Sequence, residues 1–187
     1  ENDAKAELVQ LELGGKRSYV GVRTELVGRK SEYRSATGYL CKGDSLLDMN
    51  FVTNEWGKKV SSNMDASGVL LDNSTKVYRG TIDFKEGAKG ASGFEKEDTL
   101  LFSPSIINKS VPLILCHEED VEGDHGATIG RIDEKLLFYI KSRGIDEKAA
   151  KQLMTEAYIN AVTEQIGDDE TEGKVIKYVS EVFNDEQ

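Results

Sequence analysis

The sequence predicts a mainly β protein, strand-built over residues 1–130, with a small α-helical domain over residues 131–187. Three observations carry this reading. As far as about Pro112 the apolar residues come in short alternating groups, rich in Val, Leu, Tyr, Phe and Thr and bounded by Gly, Asn, Asp, Ser or Lys. Single glycines flank many of these groups. After Gly130 the apolar period shifts from two towards 3.6, the change that marks strands giving way to helices.

The strand-sized groups follow one another as LVQLEL (with Leu8, Val9, Leu11 and Leu13), YVGV, ATGYL, SLLDMNFV, SGVLL, KVYRGTIDF and DTLLF, and no convincing helix interrupts them. They recur roughly every 10 to 14 residues, a spacing that suits either a sandwich or a solenoid, and periodicity alone does not choose. Glycine leans the choice towards the solenoid. The chain has 18 Gly and 2 Pro, so its corners depend on glycine where the backbone needs positive φ, as at Gly14, Gly15, Gly43, Gly57, Gly87 and Gly90. KGASG, from Lys89, reads as one such corner and not as a phosphate loop, because no helix follows it. Such a stack must cover its ends or leave the last strands open to pairing.

The helical part begins where Asp133 can cap a helix whose apolar face is Leu136, Leu137, Phe138 and Ile140. Gly144 ends it, and Asp146 with Glu147 opens the next, AAKQLMTEAYINAVTEQI. The acidic stretch GDDETEG reads as an exposed loop before a third helix, KVIKYVSEVF. All three helices are short and amphipathic, so each must dock on something to be stable.

Composition narrows the functions available. A net charge of -10 and a pI near 4.8 repel polyphosphate and leave no footprint for nucleic acid. No apolar run has the length of a membrane span, and ENDAKAELVQ carries no signal-peptide pattern. Cys41 and Cys116 form no CxxC, so disulfide frameworks and structural zinc lack support and a reducing cytoplasm is the expected compartment. The chain opens inside a strand register without an initiator methionine, which suggests a fragment of a longer protein whose strand stack starts earlier.

The densest chemistry lies in CHEEDVEGDH, which holds Cys116, His117, Glu118, Glu119, Asp120, Glu122, Asp124 and His125. Sulfur, imidazole and carboxylates all bind transition metals, but this spacing matches no standard ligand set, and neighbours such as Cys116 and His117 point to opposite faces of a strand. A solvated or structural role is the reading that composition favours. Paired carboxylates such as Glu118 and Asp120 could serve a glycosidase on a β-helix, although Trp56 is the sole tryptophan for stacking a sugar. There is no GxSxG, no GxxxxGK[ST] and no HExxH.

YRGTIDFKEGAKGASGFEKEDTLLFSP followed by GDHGATIGRIDEKLLFYIKSRGIDEKAAKQLM resembles the C-terminal core of the SufB/SufD family of iron-sulfur cluster assembly proteins, from about Val77 to Met154. The resemblance implies a right-handed parallel β-helix followed by a small helical domain. Glu97 stands where SufB-type chains place a cysteine implicated in building the nascent cluster, and Gly126 stands where they carry a glutamate, so the chain is SufD-like. His125 matches the histidine that SufD-type chains keep at their interface with SufB, where an imidazole can ligate iron or shuttle a proton. Asp124 is a candidate acceptor orienting that ring, from adjacency alone.

By the same resemblance the last β-strands pair with SufB and the helices dock the SufC ATPase, with Leu136, Phe138, Tyr139, Leu153, Met154 and Tyr158 as the apolar residues available. The alternative for these helices is that they cap the open end of the β-helix. The implied role is a non-catalytic scaffold with no tightly bound cofactor in the isolated chain and a transient iron-sulfur cluster in the complex. A homodimer formed through the same last strands, and a β-helical carbohydrate enzyme, are the two alternatives.

Overall fold

The structure is a computed structural model that describes residues 1–184. Its strands are β1 (Lys5–Leu13), β2 (Arg17–Leu26), β3 (Glu32–Cys41), β4 (Leu46–Glu55), β5 (Ser61–Leu70), β6 (Thr75–Phe84), β7 (Ala91–Leu101), β8 (Ile107–Cys116) and β9 (Val121–Arg131). The helices are α1 (Glu134–Ser142), α2 (Glu147–Thr163) and α3 (Asp169–Asn184). Odd strands form one five-stranded sheet in the order β1-β3-β5-β7-β9, and even strands form a second in the order β2-β4-β6-β8. Every neighbouring pair is parallel. The chain therefore alternates between two facing sheets, one strand in each per turn, and completes about four turns of a flattened β-solenoid. Glu32 pairs with Ser61, and Ser61 with Ser92, so each turn takes about 30 residues.

Alternation within each strand decides the core. In β5 and β6 every second residue is buried, and Met64, Ala66, Leu70, Tyr78, Ile82 and Phe84 meet Tyr33, Tyr39, Met49 and Phe51 between the sheets. Phe51 and Tyr78 pack edge to face with ring centroids 5.8 Å apart, a favoured aromatic geometry. The last few residues of β3, β5 and β7 are buried on both faces. Their outward side chains, Leu40, Val69 and Leu100, form a second core with Ile159 of α2 and Val175, Val179, Val182 and Phe183 of α3.

Helices α2 and α3 thus lie on the outer flank of the five-stranded sheet and not across the end of the solenoid, while α1 packs on α2 and buries none of its residues. The end-capping alternative fails for α2 and α3, whose apolar residues pack against the outward side chains of the sheet. Gly38 on β3 makes the docking close: a Cβ there would sit 2.6 Å from Leu11 and 3.3 Å from Val162 of α2.

Two further expectations need correction. GDDETEG is not a loop: α3 begins at Asp169, and the Asp168 carboxylate accepts the Thr171 backbone N–H at 2.9 Å. The acidic residues fill the first turn of a helix, where the macrodipole favours negative charge. The corners depend on glycine only in part. Gly14, Gly15, Gly43, Gly87 and Gly90 have positive φ, but Lys30, Lys59 and Asp72 hold left-handed corners too, while Gly57 does not have a positive φ. In-strand glycines such as Gly68 and Gly80 serve close approach.

Candidate functional site

The solenoid ends in two strands with one partner each: β8 pairs only with β6 and β9 only with β7. Among the described residues no helix packs across this last turn. Residues in register across a parallel ladder share a face, and Gly123 fixes which face is which, because a Cβ there would lie 2.9 Å from the Phe84 ring inside the core. His125, Ala127 and Ile129 therefore face inward, at the open mouth of the solenoid, and His125 is exposed because no further turn lies above it.

Asp124, one residue earlier, leaves the opposite face. It lines a shallow groove of about 440 Å³ on the outside of the sheet with Asn63, Asp65, Phe94 and Lys96. A regular strand cannot turn both neighbours inward, so the ladder gives no support to Asp124 as the group that orients the His125 ring.

Beneath His125 the interior is polar. Glu95 is its register partner on β7, and Glu97, two residues on, points the same way. Glu97 and Lys76 of β6 form a buried ion pair that bridges the two sheets. Ser110 of β8 donates to the second Glu97 oxygen, and Thr99 donates to the first at 3.3 Å while lying 2.6 Å from the Tyr39 hydroxyl. The Lys76 ammonium sits 5.4 Å and 5.7 Å from the ring centroids of Tyr39 and Tyr78, within cation–π range. Burial pushes the Lys76 pKa down and those of both tyrosines up. Glu97 is thus a strut tying both sheets together.

Glu95 makes no ion pair of that kind. Its carboxylate occupies the space left by Gly80 on the opposite sheet, where an added Cβ would lie 1.9 Å from Oε1. Burial pushes its pKa up, with the Tyr78 hydroxyl and the His125 charge pulling the other way.

The remaining candidates are dispersed. Cys41 is buried and its thiol is pushed up to about 12, which makes it inert; Cys116 is exposed at the end of β8. His117 lies at the following corner with Nε2 3.6 Å from Asp83 Oδ1. Glu118 spends its carboxylate on the backbone N–H groups of Glu119 and Asp120, at 3.0 Å and 3.4 Å. Among the described residues no three His, Cys, Asp or Glu side chains converge as a metal centre, and no helix is long and apolar enough to cross a membrane.

The six apolar helix residues divide into two sets. Leu136, Phe138, Tyr139 and Leu153 are exposed, Phe138 at 74%, while Met154 and Tyr158 pack partly buried against the outer-flank core. The interior column of Lys76, Glu95 and Glu97 escaped the sequence reading except for Glu97. Its signal is charge at inward parity on strands whose other inward residues are small or apolar, visible once the register is known.

A parallel β-solenoid with an uncovered last turn and a helical domain on its flank is the class of protein defined here. The family model described as SUF system FeS cluster assembly, SufBD core domain, matches residues 1–158, and the chain belongs to that family. It is 25% identical over 179 residues to the iron-sulfur cluster assembly protein SufD of Bacillus subtilis, covering 81% of this chain and 41% of that protein. It is 28% identical over 113 residues to SufD of Escherichia coli, covering 60% of this chain and 27% of that protein. A SufBD family iron-sulfur cluster assembly protein of Pyrococcus horikoshii is 28% identical over 152 residues, covering 81% of this chain and 31% of its own length. The chain thus spans less than half the length of these relatives.

Proposed function

We propose that this chain acts as a non-catalytic scaffold in iron-sulfur cluster assembly, with the cluster as its cargo. Strands β8 and β9 are continued by the last strands of a SufB-type partner, His125 faces the resulting seam as a ligand or proton carrier, and the helical domain docks the SufC ATPase. The observation that carries this reading is the open last turn with an imidazole on its inward face. An unpaired strand edge is a template for another chain. The outer face of β8 exposes Ile107, Val111 and Leu113, an apolar stripe of the kind a partner covers, and Gly126 on β9 leaves open space around its backbone. On the helical domain, Leu136, Phe138, Tyr139 and Leu153 supply the apolar contacts for the ATPase, while Met154 and Tyr158 hold α2 to the sheet.

The test is anaerobic reconstitution with separately purified SufB-type and SufC-type proteins. Wild type captures both and retains iron and sulfide. His125→Ala captures both and retains less, and Phe138→Asp loses the ATPase alone. Capture of neither partner by the wild type sinks the proposal. The same edge strands could pair with a second copy of this chain, and a stable dimer in sedimentation that SufB does not dissociate would favour that reading.

A further inference from the structure

The corners that follow the odd strands differ from turn to turn. The corner after β1 is Gly14-Gly15-Lys16 and the one after β3 is Lys42-Gly43-Asp44-Ser45, whereas the one after β5 is Leu71-Asp72-Asn73-Ser74. The first two corners meet Tyr178 of α3 around a pocket of about 330 Å³. In a chain of net charge -10, neither Lys16 nor Lys42 has an ion-pair partner among the described residues. Asp44, the acidic residue of the lining, accepts from Asn73 Nδ2 at 3.3 Å.

Ser45 and Ser74 hold equivalent places one turn apart, since Leu46 pairs with Thr75. Ser74 donates to the Leu71 carbonyl at 2.7 Å, but the Ser45 hydroxyl is buried without a partner. An unmatched buried hydroxyl costs free energy that a ligand in the adjoining pocket can recover. The N–H groups of Gly14, Gly15 and Lys42 likewise meet no acceptor among the described residues. Gly14 and Gly15 have φ of 104° and 95°, and a Cβ on Gly14 would lie 2.6 Å from the Tyr178 hydroxyl. Glycine at position 14 is therefore what lets that hydroxyl approach the corner.

We propose that this pocket binds a phosphate group, either the free ion or a monoester of a small molecule. Two ammonium groups, the Ser45 and Tyr178 hydroxyls and the glycine-corner amides are donors, the set that suits a tetrahedral dianion with several acceptor oxygens. A metal cation or an amine would be repelled by both lysines. Bound there, phosphate ties the first two turns of the solenoid to α3. The pocket lies at the opposite end of the stack from His125, so its failure would leave the scaffold reading untouched.

The probe is inorganic phosphate, titrated at constant ionic strength and followed by amide chemical shifts, with adenosine monophosphate as a second ligand. Saturable shifts are expected at Gly14, Gly15 and Lys42, and saturating phosphate should raise Tm where chloride at the same ionic strength does not. Lys16→Gln and Lys42→Gln should each weaken binding by about tenfold, because each removes a charge-assisted hydrogen bond. Both side chains are exposed, so the fold should tolerate either change. Ser45→Ala should weaken binding while leaving the Tm of the unliganded chain unchanged or higher. Tighter binding of the nucleotide than of phosphate would assign the site to an ester, and equal or weaker binding would assign it to the free ion. Shifts that do not saturate, or that both lysine variants leave unchanged, mean an adventitious ion only and overturn the proposal.

Discussion

The Lys76–Glu97 pair makes the sharpest energetic prediction. Both side chains are essentially without solvent exposure, at 0% and 2%, and among the described residues each is the other's only ion-pair partner. Breaking a buried pair by removing one partner costs about 3 to 5 kcal/mol, because the survivor is left desolvated, whereas replacing both with apolar groups of similar volume is often neutral. For a chain of this size about 1 kcal/mol corresponds to a 2 to 4 °C shift in Tm. Lys76→Met and Glu97→Leu should therefore each lower Tm by about 6 to 20 °C, and the double variant should recover most of that loss.

Glu97→Leu is expected nearer the lower bound, since burial already pushes the Lys76 pKa down and the amine can shed its proton. Thermal and urea unfolding of the three variants, followed by circular dichroism and Trp56 fluorescence, completes a double-mutant cycle. Additive losses would refute the strut, as would a double variant less stable than either single one.

Glu55 gives a pH dependence. It is buried with only Ser62 donating to it, at 2.6 Å, and its pKa is pushed up from 4.5 to about 7. Between those values the folded chain keeps a proton that the unfolded chain has lost, so stability falls as pH rises through this window, by at most about 3 kcal/mol at 1.36 kcal/mol per unit. Glu55→Gln should flatten that part of the stability profile, and an unchanged slope would show that the carboxyl ionises freely. Ile159→Ala, at the centre of the contact between α2 and the sheet, should cost about 2 to 5 kcal/mol of unfolding free energy. Phe138→Ala should leave stability within about 0.5 kcal/mol, because that ring touches solvent.

What the sequence made legible follows from the distance over which each signal acts. β6, α1 and α2 are marked by local alternation, caps at Asp133 and Asp146, and the stop at Gly144. The choice of solenoid over sandwich depends on pairing each strand with one a full turn away, such as Lys5 with Glu32, and no local pattern reports that. The acidic start of α3 looked like a loop because charge alone does not separate a solvated linker from the first turn of a helix.

For the site, His125 was reached through its motif. Its inward direction and its neighbour Glu95 needed the ladder, and the outward direction of Asp124 follows from the same alternation. The exposure of Phe138 against the packing of Met154 required knowing which flank the helices cover. Leu40, Val69 and Leu100 define that flank only after the strands are stacked.

Continuation of the last turn by another chain can be blocked at Ala127. This residue faces the mouth in register with Glu97, and its methyl group leaves the next turn room to stack. Ala127→Arg places a long cation there without touching the flank that holds the helices. Captured against a SufB-type and a SufC-type protein, the variant is predicted to lose the first partner and keep the second, with an unchanged Tm. Retention of the SufB-type partner at wild-type level would mean that the seam lies elsewhere than the last turn.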